Sequence, residues 1–349
     1  MSTIQKKDIL TLSDEELQNI LISFGWKKYR ISQVNEWLWK HGIRSIDEMS
    51  NLSLTDRQKL KDVFEMHTLA LDKMQISFDG TRKYRFNLHD NLKIESVLIP
   101  VPEDERYTLC ISSQAGCSLT CTFCATGRMG LLRQLTPGEI FDQYLYVNRE
   151  CIEVYGKPIT NIVFMGMGEP LLNYKNVVAS IGKFTSPKGA NLSHRRITVS
   201  TSGIAKMIKK MAEDGLKVNL ALSLHAADDT KRTEIMPINK QNNLHSLSQA
   251  LKHYYNTTSN RISIEYICFD HYNDSEKDAR NLIRFCSHFP ALVNIIEYNN
   301  VRGIDFQKSD ENTINSFAKH LLKAGIMTTV RKSRGKDIDA ACGQLANEA

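Results

Sequence analysis

The stretch Thr108-Leu-Cys-Ile-Ser-Ser-Gln-Ala-Gly-Cys-Ser-Leu-Thr-Cys-Thr-Phe-Cys-Ala-Thr-Gly127 runs from a short β-type segment, Thr108 to Ser112, into a loop with three cysteines spaced CxxxCxxC. A strand that feeds its functional loop from the carboxyl end is the usual arrangement in α/β barrels. Thiolates from Cys117, Cys121 and Cys124 can hold three corners of one [4Fe–4S] cluster and leave the fourth iron open to a small molecule. Structural zinc wants four ligands, and no fourth Cys or His follows at a usual spacing.

Downstream, runs rich in Val, Ile and Thr alternate with longer helical patterns: Asn161 to Met165, Arg196 to Ser200, Val218 to Leu224, Ile262 to Ile267, Val293 to Tyr298 and Met327 to Val330. Such alternation predicts βαβ units. They are too few for a complete eight-stranded barrel, so a partial α/β barrel of (β/α)6 type, open on one side, is expected. Upstream, Tyr84 to Leu88 and Lys93 to Ile99, with an Asp79-Gly80 turn, predict a small β extension. The first 66 residues read as helical. Ser13 and Glu16 make a capping box before Leu17, Ile20, Leu21 and Phe24, Val34, Trp37, Leu38 and His41 repeat the apolar spacing, and a third helix is expected near Thr55 to Glu65. The resulting division is 1–66 helical, 67–106 β extension, 107–330 core and 331–349 a C-terminal loop.

The 349 residues, 42% apolar and 24% charged, fit one large or two ordinary globular domains. The start, Met1-Ser-Thr-Ile-Gln-Lys-Lys, lacks the apolar segment of a secretory signal, so a cytoplasmic protein with no membrane partner is expected. In a reducing compartment eight cysteines read as metal-binding, catalytic or packing residues. Cys151, Cys268 and Cys286 lack motif context and are read as packing. A net charge of +6 favours polyanionic partners when it is clustered. Lys27, Lys28, Arg30, Lys40 and Arg44 form one patch, and Arg331, Lys332, Arg334 and Lys336 another. Each is read either as an RNA contact or as a solvated face.

The cysteine triplet, with Phe123 before its last member, is the radical S-adenosylmethionine signature. The words Cys110-Ile-Ser-Ser-Gln-Ala-Gly-Cys117, Phe164-Met-Gly-Met-Gly-Glu-Pro-Leu-Leu-Asn173, Ser200-Thr-Ser-Gly203, Ser223-Leu-His225, Met236-Pro-Ile-Asn239 and Asp337-Ile-Asp-Ala-Ala-Cys-Gly-Gln-Leu345 together resemble the RlmN/Cfr family of RNA adenine methyltransferases. The likeness runs from about Trp26 to Leu345 and is greatest to RlmN-type members.

That resemblance implies one [4Fe–4S] cluster on the triplet and S-adenosylmethionine held by Gly168, Glu169, Ser200, Ser223, Leu224, His225 and Asn299. Gly166 and Gly168 are read as letting backbone approach that ligand closely. Adenine C2 and C8 are poor nucleophiles, so the family uses a radical, which the cofactor supplies. By resemblance, Cys342 carries the methyl group as S-methylcysteine, Cys110 resolves the protein–RNA adduct and leaves a disulfide, and Glu95 is the proton acceptor. Two S-adenosylmethionine molecules serve each turnover. The implied partners are 23S rRNA, tRNA and a reducing electron donor such as flavodoxin, and the protein is expected to be a monomer. Methylation at C2 is favoured over the Cfr-type C8 reaction, which confers antibiotic resistance. The rival from another class is a non-catalytic iron–sulfur protein that binds RNA or senses redox state.

Overall fold

The computed structural model describes residues 6–347. Residues 1–5, at the start of the expected helical segment, and 348–349, at the end of the expected C-terminal loop, lie outside the described residues.

One ten-stranded sheet organises the molecule. In chain order its strands are β1 (Ala70–Ile76), β2 (Arg82–Asn87), β3 (Lys93–Val101), β4 (Arg106–Cys110), β5 (Asn161–Phe164), β6 (Ile197–Thr201), β7 (Asn219–Ser223), β8 (Ile262–Cys268), β9 (Leu292–Glu297) and β10 (Met327–Arg331). From β4 to β10 every neighbouring pair is parallel, and helices lie between successive strands. This is six βα units closed off by a seventh parallel strand. The sheet does not close: β1 and β10 are its edges, which leaves the open side expected of a partial barrel.

The β extension is not a separate sheet. β3 pairs antiparallel with β4 from Val97↔Cys110 to Val101↔Arg106, so the division drawn at residue 106 falls on the first residue of a shared strand. β1 and β2 complete a meander whose turn is tied by Ser77 N–H to the Thr81 carbonyl at 2.8 Å. β8 is covered on both faces, with Ile264, Tyr266 and Cys268 buried on one and Glu265 and Ile267 on the other.

The N-terminal helices are α1 (Asp14–Ser23), α2 (Lys28–Glu36) and α3 (Leu54–Val63). The Ser13/Glu16 capping box forms at the start of α1. A two-strand contact of Lys7–Asp8 with Phe64–Glu65, which no sequence signal announces, ties the two ends of this segment. The expected apolar face of the second helix needs correction. Trp37 is half-buried and His41 exposed, whereas Trp39 is 4% exposed. The chain widens into a π-turn over Trp37–His41, which rotates the face and seats Trp39 edge-on against Phe141 at 5.5 Å. Phe141 belongs to α4 (Pro137–Tyr155), the first helix of the barrel, which starts at a Thr136/Glu139 capping box.

Among the described residues no helix is long and apolar enough to cross a membrane.

Candidate active site

The cysteine loop leaves β4 through a short hairpin, Gln114–Gly116 against Leu131–Gln134, and Cys117 N–H donates to the Gly130 carbonyl at 2.9 Å to close its neck. Its far end is pinned where Thr122 N–H donates to the Ile235 carbonyl at 3.0 Å. Phe123 stands edge-on to His225 at 5.0 Å, which fixes the loop over the strand ends. Cys117, Cys121 and Cys124 all line one cavity at the carboxyl ends of the strands.

Three thiolates around one cavity match, in chemistry and number, the protein ligands of a cubic cluster with one open iron. In a cubic cluster each thiolate takes a different iron, so its ligands stand apart around a shared space. Burial pushes the Cys117 thiol up to about 11.

Glu169, Ser200, Ser223 and His225 line the same cavity, as does Gly168. Glu169 is buried. Its Oε1 accepts from Leu171 N–H at 3.0 Å and its Oε2 from Ser202 N–H at 2.7 Å. Burial raises its carboxyl, and those amide bonds oppose the rise. The Ser200 and Ser223 hydroxyls are 3.4 Å apart across adjacent strands. His225 Nδ1 accepts from Ile267 N–H at 3.1 Å, so the ring proton sits on Nε2. Burial, and then the neighbouring Arg232, push His225 down to about 3, so it is neutral at physiological pH.

Gly166 and Gly168 both line the cavity, and packing also requires glycine at each: a Cβ on Gly166 would lie 2.7 Å from the Ile111 carbonyl carbon, and one on Gly168 2.4 Å from Gln114 Cβ. Leu224 does not line the cavity. It is fully buried in the main core, and its backbone N–H binds the Glu265 carbonyl. Asn299 is buried, and its amide donates to Ser333 Oγ at 2.9 Å and to the Glu297 carbonyl.

Cys342 opens onto the same cavity, carried by the segment after β10. The residue itself is exposed to solvent. Cys110, at the end of β4, is buried and does not line the cavity. Burial, and then the proximity of Cys342, push its thiol well above the ordinary value, while Arg331 opposes the rise. Glu95 turns elsewhere. It is 1% exposed, and its carboxylate accepts the backbone N–H groups of Ala346 and Asn347 in an adjoining cavity.

The basic patches separate into tethered and free groups. Arg44 donates to Asp142 at 2.6 Å and to the Leu69 carbonyl, holding the N-terminal segment to α4. Arg30 faces Asp56 and the Asn51 carbonyl, and Lys40 binds Glu36. Arg331 sits 3.4 Å from Glu265, which lines the cavity, and Lys336 binds Glu297. These pairs tether five of the nine basic residues to neighbouring carboxylates. Lys27, Lys28 and Lys332 are exposed and Arg334 half-buried, and among the described residues none of the four enters an ion pair.

Sequence reasoning missed Arg232, which is fully buried. It donates to the carbonyls of Leu224 at 3.1 Å and Ser202 at 2.6 Å and to Asn239 Oδ1 at 2.8 Å, cross-linking two strand ends beside the cavity. The word Met236-Pro-Ile-Asn239 pointed at its partner Asn239 without revealing it.

Comparison with known proteins bears on this arrangement. Residues 111–283 match the family model described as Radical SAM superfamily, and residues 7–66 the one described as Ribosomal RNA large subunit methyltransferase N-terminal domain. A protein of Christiangramia forsetii named "Probable dual-specificity RNA methyltransferase RlmN" is 49% identical over 345 residues, 99% of this chain and 97% of its own length. The chain belongs to the RlmN family of radical S-adenosylmethionine methyltransferases. A Nitratiruptor member named "Dual-specificity RNA methyltransferase RlmN" is 40% identical, with 98% of each chain covered. The crystal structure of a radical SAM methyltransferase from Sphaerobacter thermophilus superposes with a TM-score of 0.92 at 37% identity, covering 98% of this chain and 100% of that one. The fold is therefore that of the family, and the family's chemistry rests on a [4Fe–4S] cluster and S-adenosylmethionine.

Proposed function

We propose that this enzyme methylates C2 of an adenine in 23S rRNA, near the peptidyl-transferase centre, and of the adenine beside the anticodon in certain tRNAs. The observation that carries the reading is that Cys342, from the far end of the chain, lines the cavity of the cysteine triplet. The dual-specificity names of the RlmN relatives agree with it.

Cys117, Cys121 and Cys124 hold the cluster, and Glu169, Ser200, Ser223 and His225 line the space for S-adenosylmethionine beside it. Once bound, these groups supply a methyl donor and, on one-electron reduction of a second S-adenosylmethionine, a carbon-centred radical. Glu169 offers acceptor oxygens to an amine, and His225 a fixed Nε2–H donor. Cys342 carries the methyl carbon to the base. With the C2 hydrogen lost as a proton, Cys110 as thiolate attacks the Cys342 sulfur, the bond from that sulfur to the bridging carbon breaks with its electron pair left on that carbon, which takes up a proton to become the methyl group, and a Cys110–Cys342 disulfide remains for a reductant to reopen. An electron donor such as flavodoxin and a monomeric protein complete the reading. Adenine in folded RNA must be unstacked to reach this cavity, with Lys27, Lys28, Lys332 and Arg334 free to meet phosphate.

Mass spectrometry of nucleosides after reaction with ribosomal RNA tests the assignment. The expected product is 2-methyladenosine. A product of 8-methyladenosine assigns the other carbon, and no methylated nucleoside removes the reading.

A further inference from the structure

Cys342 sits in a segment whose one regular element is a single 3-10 turn at Lys336–Ile338, so its position depends on what grips it from outside. Two side chains of the β extension do so, one on each flank. Lys83 on β2 donates from Nζ to the Asp339 carbonyl at 3.3 Å, upstream of Cys342. Glu95 on β3 accepts through Oε2 from Ala346 N–H at 3.0 Å and Asn347 N–H at 3.2 Å, downstream of it. The two charged groups lie 3.7 Å apart with side chains 7% and 2% exposed. Between the flanks, Ala125 N–H donates to the Gly343 carbonyl and Thr126 Oγ1 to the Leu345 carbonyl, which brings the segment against the cysteine loop.

A buried ion pair is a poor device for stability alone, because desolvation cancels most of its attraction and an apolar pair of similar volume often serves as well. Here both members direct hydrogen bonds to the backbone of one segment. Both also line the cavity adjoining the cysteine site and not the site itself. We propose that Lys83 and Glu95 form a positioning clamp that sets the Cys342 thiol in the cavity, an inference that rests on Cys342 being the methyl carrier. In this role Glu95 acts through the segment, and Lys83 is as necessary as Glu95.

The test compares Lys83→Met, Lys83→Arg, Glu95→Leu and the double variant Lys83→Met/Glu95→Leu as cluster-loaded enzymes. Amide hydrogen exchange over residues 339–347 is read alongside single-turnover methylation. The clamp predicts about tenfold faster exchange in that segment for Lys83→Met, Glu95→Leu and the double variant. It predicts kcat reduced between about ten- and 100-fold, with KM for RNA and iron content unchanged. Lys83→Arg, which keeps a donor, recovers most of both. The double variant restores an uncharged, well-packed interior, so recovery of kcat there would make the pair a packing feature and overturn the clamp. Exchange at the wild-type rate, or faster exchange with unchanged kcat, would overturn it as well. Peptide mass spectrometry of wild-type Cys342 separates the two claims: no methyl group there defeats the carrier reading, while the exchange result still judges whether the pair holds the segment.

Discussion

The cysteine loop and the C-terminal segment bring sulfur to the same cavity, but they are held by different means. The loop grows directly from β4, its neck is a backbone hairpin, and its end is pinned by a backbone bond to Ile235. The C-terminal segment is held mainly through side chains: Ser77 binds Asp337, Asp79 accepts from Gly335 N–H at 3.0 Å, Lys83, Arg85, Glu95 and Thr126 bind its backbone, and its own Gln344 and Asn347 donate to the Asn300 and Lys93 carbonyls. Backbone ladders are fixed by the fold, whereas side-chain grips can be released and re-formed. The first suits ligands of a resident cofactor. The second suits the roles proposed for Cys342, which are to collect a methyl group, meet a bulky RNA base and then bond to Cys110.

The largest effect that tests this contrast lies in the loop. Alanine at Cys117, Cys121 or Cys124 should remove most bound iron and lower methylation by about 1,000-fold or more, since a cluster with three protein anchors loses one. Iron analysis and product counting check it, and a variant with full iron and full activity breaks the contrast at its fixed end.

A pH series sharpens the mobile end. The Cys110 thiol is raised above its ordinary value, so at neutral pH it is mostly protonated and the nucleophilic thiolate is scarce. Resolution of the protein–RNA adduct should therefore quicken by about tenfold per pH unit between about pH 7 and pH 9. A flat profile in a quenched single-turnover assay would remove Cys110 thiolate attack as the slow step.

These regions also differ in how far they were legible in the sequence. The capping box at Ser13, the strand alternation and the cysteine spacing are local signals, and each formed where expected. Contacts between residues far apart in the chain were not legible. Nothing near Arg44 announces Asp142, 98 residues away, and nothing near Glu95 announces Ala346, 251 residues away. Family resemblance placed Leu224 at the ligand because strand ends face the cavity. Side chains alternate along a strand, and Leu224 enters the core. The Trp37/Trp39 exchange comes from a π-turn, which a fixed helical period does not anticipate.

Smaller effects separate tethered from free basic groups. Arg44→Met should destabilise the protein by about 2 to 4 kcal/mol, because it leaves Asp142 buried without its partner. It should leave the salt dependence of RNA affinity unchanged. Chemical denaturation and binding measured in a salt series distinguish the two. Neutralising Lys332 and Arg334 together should reduce the slope of log affinity against log salt by about 1.5 with little change in stability. An unchanged slope would place the RNA elsewhere.

The central claim is that Cys342 carries carbon to RNA and Cys110 releases it, and the covalent state of Cys110→Ala tests it most directly. That variant keeps the carrier and loses the resolving thiol, so protein purified from cells should bear a nuclease-sensitive RNA mass. Peptide sequencing should map it through a methylene bridge to Cys342, and Cys342→Ala should carry none. Normal turnover by Cys110→Ala, or an adduct on any other cysteine, would contradict the account.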